Sequence, residues 1–370
     1  MNKTLKHDVA AVARNFQIWG DFVSAEPYGS GHINDTYASV FDQGGSPVRY
    51  VHQRINHLIF KQPDRVMENI ERVLAHLHGK LKAAGVADIH RRALTLIPAL
   101  NGKAWFVDPD GNTWRTYIFI EKATSFDVIE STQMAYAAAR AFGEFQGLLA
   151  DLPGERLHET IPGFHDTPSR FNVLEKAIQT DAVNRAKTAR TEIEFALARK
   201  PIVNRLIQAF TEGRIPERIT HNDTKLNNVM LDNASGQGIC VIDLDTVMPG
   251  LALYDFGDMA RTATRTSVED ERDLTKVLFK EEMFEALIRG YLESAGRFLK
   301  RQEIDFLAFS GPLITFEIGI RFLTDYLAGD TYFKTHREGQ NLDRCRVKFK
   351  MVQEMEARSQ AMEKLVQRYA

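Results

Sequence analysis

The sequence predicts an α+β fold of two lobes, a small one built on an antiparallel sheet and a larger, mostly helical one. Three observations carry this. Apolar and polar residues alternate between turn signals up to about residue 120, the period of half-buried strands. Beyond that point apolar residues recur at three- and four-residue spacing, the period of helices. That helical pattern is interrupted at 219–243, where apolar runs bracket two polar clusters in the manner of a β-hairpin. With 370 residues, 44% of them hydrophobic, the chain can bury a substantial core, and the lobes are expected at 1–121 and 122–370.

Each element follows in order. Leu5, Val9, Val12, Ala13 and Phe16 lie at helical spacing between charges, which predicts an amphipathic helix within residues 1–20. Gly44, Gly45, Ser46 and Pro47 separate strand-like runs at 36–41 and 48–55. Met67, Ile70, Val73, Leu74, Leu77 and Leu81 predict one helix over 67–81. Strands return at 93–99, 105–107 and 114–120, with residues 108–112 as a hairpin turn. Helices are then predicted over 132–150, 169–179, 182–211, 280–299, 302–327 and 341–369.

Composition narrows the function. A formal net charge of −2 supplies no broad basic field for nucleic acid or an anionic membrane. Cys240 and Cys345 form no C-x-x-C pair, so nothing points to a disulfide scaffold or a zinc site. No window approaches a membrane span and the first residues lack a continuous apolar segment, so a cytoplasmic protein is expected.

Chemistry concentrates in His221-Asn222-Asp223-Thr224-Lys225-Leu226-Asn227-Asn228 and in Val241-Ile242-Asp243-Leu244-Asp245. Asp223 precedes Asn228 by five positions, short enough for one tight loop to aim a carboxylate at a hydroxyl and an amide oxygen at a metal. Asp243 arrives after a turn of small and polar residues. A base, a metal-binding amide and a metal-binding carboxylate on rigid elements read as a phosphoryl-transfer centre. Asn228 and Asp243 are hard oxygen donors of the kind Mg²⁺ takes. Lys225 either neutralises a transferred phosphoryl group or is a solvated lysine.

At these residues the chain resembles the protein-kinase-like superfamily, whose catalytic loop reads H-x-D-x-x-x-x-N and whose metal-binding Asp follows the next strand. The form Ile242-Asp243-Leu244-Asp245, followed by Tyr254-Asp255-Phe256-Gly257-Asp258, resembles the aminoglycoside-phosphotransferase and choline-kinase branch. Within it, HNDTKLNN, VIDLDTVMPG and YDFGD, with Gly31 to Tyr37 upstream and Gly319 to Tyr326 downstream, are similar to the N-acetylhexosamine 1-kinases. The likeness runs roughly from Tyr28 to Met351. It implies a bilobal protein-kinase-like fold with a nucleotide-binding lobe before residue 122 and a catalytic, acceptor-binding lobe after it. It also implies ATP and Mg²⁺ as cofactors, transfer to the anomeric hydroxyl of an N-acetylhexosamine, and a monomer or weak dimer. The alternatives are a kinase of the same fold for homoserine, an amino alcohol or an aminoglycoside, or a nucleotide-binding pseudokinase.

The resemblance assigns further roles. Asp223 is the base and a substrate contact, with His221 and Asp255 structural. Asp255 and Asp258 are read as hydrogen-bond anchors of the catalytic segment. Gly29, Ser30 and Gly31 open a loop whose backbone amides can approach phosphate. The strand that carries a phosphate-pairing lysine in protein kinases here has Gln53, with Arg54 beside it, which leaves the partner role of Glu68 or Glu71 open. Residues 117–123, with Glu121 and Ala123, are either the adenine hinge or a plain edge strand. Glu317, Arg321, Asp325 and Tyr326 form one helical stripe, either an acceptor-facing surface or a solvated face, and the resemblance favours Arg321. His32, Asn34, Asn341 and Arg344 are further acceptor candidates.

Overall fold

The computed structural model describes residues 5–29, 31 and 33–370; Ser30, expected in the phosphate loop, and His32, expected at the acceptor, lie outside them, as do residues 1–4. In chain order the first elements are α1 (Val9–Ala13), β1 (Asp21–Pro27), β2 (Asp35–Asp42), β3 (Pro47–Arg54), α2 (Pro63–Ala83), α3 (Ile89–Arg92), β4 (Phe106–Val107), β5 (Thr113–Ile118) and β6 (Ala123–Thr124). Next come α4 (Thr132–Leu149), α5 (Thr167–Thr180), α6 (Arg190–Ala198), α7 (Arg205–Thr211), β7 (Arg218–Thr220), β8 (Val229–Asp232) and β9 (Gly238–Val241). Five helices finish the chain, α8 (Ala252–Ala263), α9 (Glu281–Ala295), α10 (Arg301–Leu327), α11 (Gln340–Glu356) and α12 (Ser359–Tyr369). An antiparallel sheet followed by many helices makes this the expected α+β fold, and it resolves into two compact units.

The first unit comprises residues 1–127, 151–162 and 228–248. Its antiparallel sheet has the order β1-β2-β3-β5-β4, with Asp35 opposite Arg54 and Gln53 opposite both Thr36 and Arg115. Val9, Val12, Phe16, Tyr37 and Trp114 form a core on one face. The helix α2 starts at Pro63, suited to the first turn because its missing N–H would be unpaired there, and buries Val66, Met67, Ile70, Val73, Leu74 and Leu77 along one stripe. Asn69 of α2 receives the His158 N–H (3.0 Å) and donates to its carbonyl (2.8 Å), which ties segment 151–162 into this unit. The hairpin β8–β9 groups here too, because β6 pairs with β8 and Arg91 of α3 meets Asp232 at 2.8 Å.

Residues 93–99, expected as a strand, make only isolated bridges, Leu96 with Tyr117 and Ala99 with Phe16. Pro98 has no N–H to give a ladder. His52 on β3 is fully buried between Ser39 and Thr116, 2.8 Å from each hydroxyl oxygen.

The second unit comprises residues 128–150, 163–227 and 249–370. Its core gathers Phe171 and Leu174 of α5, Phe316, Ile320 and Leu323 of α10, and Cys345, Phe349 and Val352 of α11. The helix α10 is long and apolar enough to cross a membrane, contrary to the expectation that no segment would be, and 72% of its apolar window is buried. A helix packed on by α5, α8, α11 and α12 is apolar over most of its surface because most of its sides face protein. Two expected helices are interrupted. Segment 182–211 forms turns, then α6 and α7 separated by a 3₁₀ turn at Pro201, whose ring and missing N–H stop a helix. Segment 341–369 divides between α11 and α12 at Ala357 and Arg358, which lets Met362, Leu365 and Val366 bury separately.

The helices α4 and α9 touch through glycine. A Cβ on Gly290 would stand 2.3 Å from the Tyr136 carbonyl oxygen, and one on Gly143 would stand 2.3 Å from Ser294 Oγ. Gly290→Ala is therefore expected to push α4 from α9 and to lower unfolding stability by about 1–3 kcal/mol, the usual range for overpacking, read from the urea midpoint.

Burial pulls the His52 pKa from 6.5 down to about 4. The unfolded chain thus takes a proton below 6.5 that the folded chain refuses, so stability present above that pH is lost as pH falls towards 4. Relative to His52→Asn, the wild type is expected to lose on the order of 3 kcal/mol across that window in pH-dependent urea unfolding; parallel curves for the two proteins would contradict it.

Candidate active site

The loop expected to be catalytic, residues 221–227, belongs to the helical unit and leaves the end of β7. Asp255, in the first turn of α8, is fully buried and accepts two successive loop N–H groups, His221 at 2.9 Å and Asn222 at 2.7 Å. Its carbonyl accepts Thr224 Oγ1 at 2.6 Å. Gln146 of α4 donates to the same carboxylate at 2.5 Å, and Tyr291 of α9 donates to Gln146 at 2.5 Å. Burial raises the Asp255 pKa, while the His221 ring and the two loop N–H groups pull the other way. Asp258, expected to anchor the same segment, instead pairs with Arg261 one turn along α8 (2.5 Å).

These anchors hold Asn222 at φ +65°, the left-handed region that a non-glycine residue occupies only when its surroundings enforce it. The Asn222 carbonyl lies 3.0 Å from His165 Nε2, and His165 Nδ1 lies 2.8 Å from Glu317. His221 is buried edge-on to Phe142 and Phe145, and its Nδ1 accepts the Asp223 N–H at 3.3 Å. Asp223 remains part-exposed, 3.1 Å from Lys225 Nζ. Burial works to raise the Asp223 pKa, but Lys225 and then His221 outweigh it, so the carboxylate is held ionised below the ordinary range.

The pair expected to bind metal belongs to the sheet unit. Val229 pairs with Val241, and the Ile242 N–H donates to the Asn228 carbonyl at 2.9 Å, so Asn228 and Asp243 flank the same open end of the β8–β9 hairpin. Asp243 takes φ +59°. An amide and a carboxylate oxygen source at one hairpin end suit a hard octahedral cation that keeps its remaining positions for phosphate and water.

Strand alternation separates the two residues expected to replace the lysine. Gln53 faces Arg115, whose Nε donates to it at 3.0 Å, whereas Arg54 emerges on the opposite face and pairs with Asp35 at 2.6 Å. Arg54, expected among the nucleotide contacts, thus forms an ion pair with Asp35 that, together with Lys6 and His7, holds its carboxyl down at about 2 despite burial. Glu68 meets His158 at 2.8 Å. In the hinge segment the Glu121 side chain pairs with Arg49 (2.8 Å), its carbonyl accepts Arg91 (3.2 Å), and Lys122 takes φ +57° before Ala123 joins β8. Tyr117 and Ile118 thus end β5 of the main sheet, and residues 119–122 turn into the short strand β6.

The acceptor stripe on α10 is largely consumed by the fold. Glu317 is fully buried on His165 and Thr167. Asp325 accepts the Thr331, Tyr332 and Phe333 N–H groups at 2.8–2.9 Å and Asn341 Nδ2 at 2.9 Å, so it organises loop 331–333 instead of facing an acceptor. Tyr326 is buried, its hydroxyl 2.9 Å from Thr188 and its ring under Arg185. Arg344 donates to the Lys334 carbonyl (3.1 Å) and to Asn341 (2.9 Å), which also bridges Asp325 and Asp330. Arg321 alone of the stripe stays partly exposed, its guanidinium 5.5–5.9 Å from the ring centres of Phe164, Tyr332 and Phe333. Phe164 and Tyr332 escaped the sequence reading because loop aromatics carry no period. Arg115 had a signal, a lone charge inside an otherwise uncharged strand.

Comparison with known proteins agrees with this fold. An aminoglycoside phosphotransferase from Alicyclobacillus acidocaldarius superposes with a TM-score of 0.63 at 11% identity, covering 99% of this chain and 98% of that one. A choline kinase from Cryptosporidium parvum gives 0.56 at 12% identity, covering 96% of each. A spectinomycin phosphotransferase in complex with ADP and spectinomycin gives 0.53 at 12% identity, covering 95% of this chain and 97% of that one. Residues 24–301, well over half of the sequence, match the phosphotransferase enzyme family known as APH, and the chain belongs to that family.

Proposed function

We infer that this phosphotransferase is an ATP- and Mg²⁺-dependent kinase that phosphorylates the anomeric hydroxyl of an N-acetylhexosamine. Membership of the family supports the transfer chemistry, and the bound ADP of the spectinomycin phosphotransferase supports a nucleotide donor. Asn228 and Asp243 would hold magnesium, which when bound would supply charge neutralisation for the triphosphate. Asp223 accepts the proton of the attacking hydroxyl as oxygen bonds to the γ-phosphorus and ADP departs. A hemiacetal hydroxyl is more acidic than an ordinary alcohol, so one ionised carboxylate suffices. Lys225, beside Asp223, keeps that base deprotonated and faces the transferred group with a positive charge. Phosphate is met by the Gly29 to Gly31 loop with Asn34, adenine by residues 119–123, and a cytoplasmic enzyme fits the use of ATP.

The choice of acceptor rests on one observation, the arginine within the aromatic frame. A cationic acceptor needs free carboxylates or free ring faces. Here Glu317 and Asp325 are saturated by the protein's own donors, and Arg321 already sits over the rings. An arginine fork beside aromatic faces suits a neutral polyhydroxyl ring with an acetamido carbonyl. His165 couples this frame to the loop that carries Asp223, since it neighbours Phe164 and bonds the Asn222 carbonyl.

Three outcomes are expected. With MgATP and a panel of N-acetylglucosamine, N-acetylgalactosamine, choline, homoserine and an aminoglycoside, phosphorus NMR is expected to find a sugar 1-phosphate; preferential turnover of choline or the aminoglycoside would remove the sugar assignment. Asp223→Asn should lower kcat by on the order of 10²–10⁴ with nucleotide affinity nearly unchanged, and full activity would refute its role as base. Arg321→Ala should raise the acceptor KM by roughly 10–100-fold while the MgATP KM stays put; equal increases in both would detach it from acceptor binding.

A further inference from the structure

The sheet unit has no lysine at the position where protein kinases pair phosphate, yet it buries a cation one strand away. Arg115, directly across from Gln53 on β5, is completely buried. Its Nε donates to Gln53 Oε1 at 3.0 Å, and its Nη1 donates to Asp245. Asp245 stands two residues after Asp243 and accepts Asn34 Nδ2 at 2.6 Å. Asn34 in turn takes the Asn56 N–H at 3.0 Å, and Gln53 donates to Thr36 at 3.1 Å. One guanidinium thus joins the turn holding Asp243, the end of the glycine-containing loop, and strands β2 and β3.

Two polar atoms of this cluster have no partner among the described residues. Arg115 Nη2 and the Tyr117 hydroxyl are both buried without an acceptor or donor, and the guanidinium lies 5.4 Å from the Tyr117 ring centre. Buried donors left unmade cost more than the bond itself is worth, so such orphans mark a place that something else completes. Burial opposes the Arg115 charge, but Asp245 and, further down, Asp243 outweigh it, so the guanidinium stays charged and feels the metal-binding carboxylate.

We propose that Arg115 replaces the strand lysine as the fixed cation of the nucleotide site. It is a positioning residue that clamps Asp245, so that the Asp243 turn and the Asn34 end of the glycine-containing loop stand ready for nucleotide, with Nη2 left over for a phosphate oxygen, directly or through one water. Asp245 then has its reason for standing where protein kinases carry glycine. It is the counter-charge that keeps a buried arginine in place, since a cation at that depth is sustained only beside an anion. This rests on the nucleotide reading above.

The test uses the full chain. Removing one partner alone leaves a buried charge unpaired and threatens folding, so the neutral pair Arg115→Gln with Asp245→Asn is compared with wild type and with Arg115→Lys, which keeps the charge. Thermal unfolding, calorimetric titration with MgADP, and separate KM values for MgATP and acceptor are measured. The neutral pair is expected to unfold near the wild-type temperature yet to bind MgADP about tenfold or more weakly, with its MgATP KM raised and its acceptor KM unmoved. Arg115→Lys is expected to recover most of that affinity. A stable neutral pair that binds MgADP as wild type does, or lysine and neutral variants equal in affinity, would overturn this proposal alone. A wild-type chain that takes up no MgADP would overturn both it and the nucleotide reading.

Discussion

The buried carboxylate of Asp255 is the constraint around which the helical unit is organised. It converts two loop N–H groups, which have no strand or helix partner, into satisfied donors, and so lets a tight, left-handed turn at Asn222 exist inside protein. Because Gln146 of α4 donates to that carboxylate and Tyr291 of α9 donates to Gln146, the glycine contact between those helices bears on the loop's geometry as well as on the core. The price is a charge held where water cannot reach, visible in the upward push that burial gives its pKa.

The same economy governs the polar residues of α10. A helix enclosed on most sides keeps a buried carboxylate only by saturating it, and Glu317 and Asp325 are saturated by His165, Thr167, Asn341 and the N–H groups of loop 331–333. What faces outward is then a matter of subtraction. Arg321 remains, framed by rings that the loop under Asp325 brings to it. In the sheet unit the corresponding device is the pair of Arg115 and Asp245, where a strand cation and a turn anion are buried together.

Much of this was legible in the residues themselves. The runs that became β2, β3, α2 and α4 follow from period two and period 3.6, because each element has one wet and one dry side. The arrival of Asn228 and Asp243 at one end of a hairpin was legible as well, since a short turn between two apolar runs leaves few registers. Elements without a wet side were harder. The period at 302–327 predicts helix α10, but its length and apolarity, enough to cross a membrane, ran against the expectation that no segment would be, and the segment at 93–99 reads as a strand although Pro98 denies it a ladder.

By itself the sequence determined the local periods, the short spacing from Asp223 to Asn228 and the motifs that carry the family likeness, all of which depend on neighbours close along the chain. Only the tertiary structure decided which polar side chains are spent on the fold and which stay available. Gln53 and Arg54 are adjacent yet face opposite sides of a sheet, and Asp325 and Arg321 share a helix stripe yet one is surrounded by donors and the other by rings. That division depends on partners distant in sequence, such as Asn341 for Asp325 and Asp245 for Arg115, because a buried charge persists only where a remote group meets it.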